Sequence, residues 1–421
     1  MKESILHYVW QYKLFPPTLT TIDGESVEVI DVGRLNTDAG PDFFNAKLKI
    51  AETLWAGNVE FHSLSSDWKR HRHLDDKAYN NVILHVVEKA DAEVFRTNGE
   101  KIPQVELKVP ENVRKNYEEL LAGKTWIACE KSIHRVENFK ISAWKNTLLT
   151  ERLEQKTEAI FRLLEQTENH WEEAFYISLA RSFGFGVNSQ PFELTAKSLP
   201  LSVLAKHKDD LFQLEALLFG QAGLLGKATD DDYSQRLQKE YAFLQAKYHL
   251  KPIEASQWKL LRLRPDNFPH VRLAQFAGLI HTSSKLFSKI VEQSSVDELR
   301  NLFRCEVSEY WQKHYLFGTE SRVSKKHIGS SSIDVLLINT VIPFLFAYGR
   351  KKNDETLTEK SIGLLENIPA ENNAIVKKWK ELGVTAENAF HTQALLQLKK
   401  NYCDEKKCLR CRVGHQVLRI R

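Results

Sequence analysis

The 421-residue sequence has no tract rich in proline, glycine and serine, and a charged share of 27% sits beside a hydrophobic share of 42%, so long disordered segments are not expected. It also lacks a strong net charge. At +4 the whole chain does not declare itself a nucleic-acid binder, and the surplus is local: in residues 397–421 eight lysines and arginines stand against Asp404 and Glu405. The tail is therefore a basic element on a near-neutral body. No fixed-period repeat marks a solenoid. The start, MKESILHYVWQYKLF, carries charges inside its apolar spacing and is followed by no small-residue cleavage site, so it reads as an amphipathic helix and not as a signal peptide. The most apolar later stretch, residues 333–348, is short for a bilayer and holds Asp334, Asn339 and Pro343. That composition predicts a buried helix and no membrane partner. Cysteine is scarce, five residues in all, and the odd number argues against a disulfide framework and for a reducing cytoplasm.

What is present predicts an α+β protein in more than one part, because a chain of this length exceeds what one hydrophobic core organises. Strands are expected at SVEVIDV after the Asp23-Gly24 turn, at residues 43–50 where apolar residues alternate, and at about residues 55–62. Ser65-Ser66-Asp67 reads as a helix cap, VILHVV as a central strand, and Gln104-VELKV as one more strand. From about Ile141 the spacing turns helical: Trp144, Leu148 and Leu153, then Ile160 and Leu164, then AFYISLARSFGF and LEALLFGQAGLL. The expected organisation is an α/β domain over residues 1–125, a helical domain over 138–400 and a basic tail over 401–421.

The first domain carries the densest chemistry. Gly40-Pro41-Asp42 opens one strand and Gly57-Asn58-Val59-Glu60-Phe61-His62 closes the next. If the two form a hairpin, Glu60 and His62 share a face, because strand side chains alternate with period two, and Asp42 lies beside Glu60. Two adjoining carboxylates suit Mg²⁺ or Mn²⁺, and His62 is placed to orient or activate water, the requirements of metal-assisted phosphodiester hydrolysis. Asp67, His71, His73 and His85 are candidate accessory groups in the same window. The plainer reading is turn chemistry for Gly-Pro-Asp, a solvated helix face for Trp68-Lys69-Arg70-His71-Arg72-His73, and a hydrogen-bonded core histidine for His85. Arg70, Arg72, Arg264, Arg272, Lys325 and Lys326 are the candidate contacts to a DNA or RNA backbone, against the commoner role of solvated cations. Glu106-x-Lys108 is a second, lower-ranked acid/lysine pair.

At the other end, Cys403-x4-Cys408-x2-Cys411-x3-His415 has the spacing of a metal clip, with Zn²⁺ the first expectation. Cys129 competes with His415 as fourth ligand, and four cysteines also suit an iron–sulfur cluster. Buried, reduced thiols are the alternative without metal.

The order Pro41-Asp42, spacer, Glu60-x-His62, helix, strand resembles the restriction-endonuclease-like nucleases, whose signature is Pro-Asp followed by Asp/Glu-x-Lys. That resemblance implies a mixed sheet with Asp42 and Glu60 as metal ligands, and the departure is His62 in place of lysine. Over nearly the whole chain the sequence also resembles an uncharacterised bacterial family, through GPDF, GNVEFH, SSDW, VILHVV, LLFGQAG, RPDNFPHVRLAQ, INTVIPFLFAYG and the terminal YC with CLRC. The expected function is thus a metal-dependent nuclease or nuclease-fold nucleic-acid-binding protein. The rivals are a non-catalytic scaffold for a nucleic-acid or protein partner, and a small-molecule enzyme using the same acid/histidine pocket.

Overall fold

The structure, a computed structural model, describes residues 2–226 and 230–420. The chain forms two compact units, Met1–Trp144 with Leu398–Arg421, and Lys145–Gln397. They part inside one long helix, so the division falls later than the expected linker, and the tail belongs to the first unit.

Unit 1 is built on a seven-stranded sheet. It begins with helix α1 (Lys2–Gln11), whose Leu6, Val9 and Trp10 are fully buried. Strands follow at β1 (Thr18–Thr20), β2 (Ser26–Asp31), β3 (Arg34–Leu35), β4 (Phe43–Ile50) and β5 (Thr53–Leu64). After the short helix α2 (Asp67–Arg70) come β6 (Val82–Lys89) and β7 (Gln104–Glu106), then helix α3 (Glu111–Ala122) and the start of α4 (Asn138–Gln166). The sheet order is β1-β2-β4-β5-β6-β7, with β3 on β4. Pairing is antiparallel through β5 and parallel for β5–β6 and β6–β7, and a bridge from Thr21 to Val105 brings the first and last strands together.

The expected strands are all present. The expected helix over 67–76 is cut to four residues, because Arg72 takes a left-handed conformation (φ 60°) and turns the chain into a 3₁₀ turn at His73–Asp75. Ser66 occupies the cap position, but its hydroxyl bonds Asp91 instead of capping.

Strand β5 changes character along its length. Residues 53–56 are exposed on both faces, whereas residues 58–62 are buried on both. The reason is coverage. On one face Phe61 packs against Phe43, His7 and Trp10, so α1 forms the lid. On the other, Trp68, Tyr79, Val82, Val94 and Ile102 form a cluster beneath the α2 turn. Glu60 and His62 therefore sit in the interior, where polar groups are costly unless something pairs with them.

Unit 2 is helical, with a small two-stranded sheet at His314–Leu316 and Thr319–Glu320. Aromatic rings organise its core: Phe175 and Phe287 both pack against Phe344, and Phe183 against Phe276. The helical run Ser330–Lys352 is long and apolar enough by composition to cross a membrane, but 67% of its most apolar window is buried inside the fold. That agrees with the buried helix read from the sequence.

Candidate metal centre

The centre is assembled from five places in unit 1. The loop before β4 is shaped by Asn36, whose amide donates to the carbonyls of Asp38, Ala39 and Pro41, and this delivers Asp42 to the end of the sheet. Asp42 and Glu60 then lock each other: the Asp42 N–H donates to Glu60 Oε2 at 3.0 Å, and Asp42 Oδ2 accepts from the Phe61 N–H at 3.0 Å. Helix α1 adds His7, whose Nε2 is 3.2 Å from Asp42 Oδ2.

The remaining histidines converge on the other side of Glu60. Parallel pairing sets His85 of β6 opposite Glu60, and His85 Nε2 lies 2.8 Å from His62 Nδ1. The left-handed Arg72 brings both flanking residues to the centre: His71, itself exposed, has Nδ1 3.0 Å from His62 Nε2, while the buried His73 has Nε2 3.4 Å from Glu60 Oε1. His62 Nε2 is itself 3.8 Å from Glu60 Oε1. One nitrogen from each of His62, His71 and His73 lies within 4.8 Å of the others. Trp68 packs edge-on to His73 and His85, and the Tyr79 ring stacks on His73 at 3.8 Å.

Electrostatics follow from burial. Desolvation, then the repulsion of Asp42, holds the Glu60 carboxyl well above the usual carboxylate range. Burial, then His85, His73 and His71, pushes His62 down to about 2. Burial pushes His73 and His85 down to about 4, with His71 the next cause for His73. At neutral pH the rings of His62, His73 and His85 are uncharged and Glu60 keeps its proton. The close approaches of His62 and His73 to Glu60 are therefore contacts between neutral groups and not ion pairs.

A neutral imidazole has one N–H and one lone pair, so a cluster of such rings holds several lone pairs with few protons to share. Two buried atoms, His73 Nε2 and His85 Nδ1, have no hydrogen bond, a condition that costs about 1–3 kcal/mol per group. A divalent cation in front of His62, His71 and His73 would meet those lone pairs and return Glu60 to its carboxylate form. The donors fit such an ion: metal–nitrogen bonds of about 2.1 Å set ligand atoms roughly 3–4 Å apart, near the spacing observed.

The sequence-predicted residues divide clearly. Asp42, Glu60, His62, His71, His73 and His85 come together; Asp67 does not, because its carboxylate accepts from the Leu64 N–H and pairs with Arg70 at 2.9 Å. Arg72 is exposed on the outside of the turn. Glu106 accepts from the Ala90 N–H, away from the centre, which removes the second acid/lysine candidate. In unit 2, Arg264 and Lys325 are exposed, but Arg272 and Lys326 are buried. Arg272 donates to Gln275 and Asn267, and Lys326 to the carbonyls of Trp311 and His314, so neither presents its charge to a phosphate backbone. The sequence reading missed His7 and Tyr79. His7 sits at the edge of the apolar stripe of α1, but its pairing with Asp42 depends on where that helix docks.

Fold and site together describe an α+β protein with a buried histidine/carboxylate centre in its sheet unit. The chain belongs to the family described as "protein of unknown function (DUF2851)", which matches residues 3–374. No curated protein and no solved structure matches it.

Proposed function

We propose that unit 1 hydrolyses phosphodiester bonds in nucleic acid with a divalent metal held by His62, His71, His73 and Glu60. The observation that carries this reading is the convergence of three imidazoles on one buried carboxyl, with a second acid, Asp42, locked beside it. The order of hairpin, helix and parallel strand around Asp42 and Glu60 supports the likeness to metal-dependent nucleases. The donor set moves the expected ion away from Mg²⁺ or Mn²⁺, which suit all-oxygen sites, toward zinc or ferrous iron, which imidazole favours. Such an ion lowers the pKa of bound water to about 7 and polarises a phosphoryl oxygen. Asp42, fixed by the Phe61 N–H and His7, is placed to take the proton of the attacking water.

Charge near the site favours an anionic substrate. His7 lines a cavity of about 210 Å³ together with Tyr8, Tyr117, Lys406, Lys407 and Arg410. Its three cations suit a phosphate group, and His7 is its link to Asp42. Cysteines outside any disulfide accord with a reducing compartment such as the cytoplasm.

The test is incubation of the full chain with single- and double-stranded DNA and RNA, metal-free and with Zn²⁺, Fe²⁺, Mn²⁺ or Mg²⁺ restored. Cleavage is expected only with metal and is expected to vanish in Glu60→Gln and Asp42→Asn while affinity persists. Cleavage that survives both substitutions places the chemistry elsewhere. Salt-sensitive binding without cleavage in any metal would make the chain a binding protein, and hydrolysis of small phosphate esters alone would make it a small-molecule enzyme.

A further inference from the structure

A second cluster lies in the same unit, away from the histidines, and nothing in the proposed hydrolysis uses it. Cys129, Cys408 and Cys411 are buried, Cys403 is half-buried, and none is in a disulfide. The tail is fastened around them. Lys399 lies over the ring of Trp126 at 5.2 Å, bringing the turn that ends in Cys403 to the segment that carries Cys129. Lys406 donates to the carbonyls of Leu121 and Gly123 on that same segment. Cys408 and Cys411 form a tight knuckle, with the Cys411 N–H donating to the Cys408 carbonyl, and the helix Arg412–Leu418 packs directly on it. A β-carbon at Gly414 would come within 2.1 Å of the Cys408 carbonyl oxygen, so only glycine fits this approach. Asn116 of α3 then ties down the carbonyls of Val417, Leu418 and Ile420.

His415, the other candidate ligand, faces elsewhere. Its Nδ1 is 2.8 Å from the Tyr8 hydroxyl and its Nε2 is 3.4 Å from Arg419, and the Tyr12 ring covers it at 4.1 Å. One ring nitrogen is engaged by Tyr8 of α1 and the other by Arg419 of the tail itself. Cys305, the fifth cysteine, belongs to unit 2 and donates to the Gln275 carbonyl.

We infer that Cys129, Cys403, Cys408 and Cys411 bind a single Zn²⁺ ion that anchors the C-terminal segment to unit 1, with His415 outside the ligand set. Four thiolates around zinc are a closed structural site, and such sites contribute folding free energy directly. The thiols also lie near enough to feel one another, Cys403 sensing Cys411, Cys129 and Cys408. A coordinated thiol gives up its proton on binding, so each ligand becomes a thiolate and the protons leave to solvent.

The experiment uses the full chain with cobalt in place of zinc. Thiolate-to-cobalt charge transfer gives a near-ultraviolet band that a histidine/carboxylate site lacks, so the two clusters are read separately. The band is expected in wild type and in His415→Ala, and is expected to weaken severalfold or disappear in Cys129→Ser. Because Cys129→Ser also places a hydroxyl at a buried position, a second readout uses the unaltered chain: a thiol-specific mercurial should release one equivalent of zinc. No band and no releasable zinc overturns the inference. So does a band lost equally in His415→Ala, a band untouched by Cys129→Ser in folded protein, or iron and sulfide in place of zinc.

Discussion

Two glutamates are buried in this protein, one in each unit, and they differ in what surrounds them. Glu215 is fully buried in the helical unit, where its Oε2 accepts from the Tyr233 hydroxyl at 2.6 Å and the Trp311 indole N–H at 3.0 Å. Burial lifts it, these neutral donors pull it back, and it settles at about 7. Glu60 is lifted by burial too, but the next contribution, from Asp42, pushes the same way. Burial of an acid is thus common to both places; a second acid and a ring of unprotonated imidazoles mark only one. At Glu215 donors hold Oε2 and only Oε1 goes without a hydrogen bond, whereas around Glu60 the unmatched atoms, His73 Nε2 and His85 Nδ1, belong to a group of imidazoles beside a second acid.

The largest expected effect follows from this contrast. Glu60→Gln should lower metal-dependent cleavage by about three orders of magnitude, or ~4 kcal/mol of barrier at about 1.4 kcal/mol per decade, measured as kcat/KM on a labelled oligonucleotide. Glu215→Gln should leave cleavage within about twofold and instead cost roughly 1–3 kcal/mol of stability, read from the urea midpoint, because the amide NH2 that replaces Oε1 is buried without an acceptor. Equal losses of activity from the two substitutions would dissolve the distinction.

A pH experiment sharpens it further. With its folded-state pKa raised, Glu60 supports the metal-free fold most below the ordinary carboxylate pKa, and that support is lost as pH rises through neutrality. The depressed His62, His73 and His85 act in reverse: their support is present above about 6.5 and is lost as pH falls toward 4. In protein whose cysteine site is already filled with zinc, a cation entering the histidine centre at neutral pH displaces the proton of Glu60, so uptake should release about one proton per ion, and affinity should rise with pH by about tenfold per unit. Calorimetry in buffers of different ionisation enthalpy measures the proton count; zero protons would mean Glu60 is not a ligand.

How far the centre was legible in the sequence can be traced residue by residue. Period-two alternation placed Glu60 and His62 on one face and Asp42 beside them, because a hairpin keeps such relations local. The basic stretch after Trp68 hid its meaning: His71 and His73 reach the centre only because Arg72 is left-handed, and nothing in Arg-His-Arg-His signals that turn. His7 and Cys129 depended on docking between segments far apart in the chain, as did the choice of Cys129 over His415. Arg272 and Lys326 looked like surface cations because charge, read alone, predicts solvent; their buried acceptors appear only in the fold.

Smaller effects probe the tail. Gly414→Ala should cost about 1–3 kcal/mol by forcing the tail helix off the Cys408 carbonyl, seen as a lower thermal midpoint of metal-loaded protein. His415→Ala should cost about 0.5–1.5 kcal/mol, the worth of its hydrogen bond to Tyr8, and leave metal content unchanged.

The central claim, that the histidines and Glu60 hold a cation, is tested most directly by counting metal. Elemental analysis of zinc-loaded protein after exhaustive buffer exchange should find one equivalent fewer in the His71→Ala/His73→Ala double variant than in wild type, with the cysteine-dependent cobalt band intact in both. An unchanged count in folded protein would contradict the account.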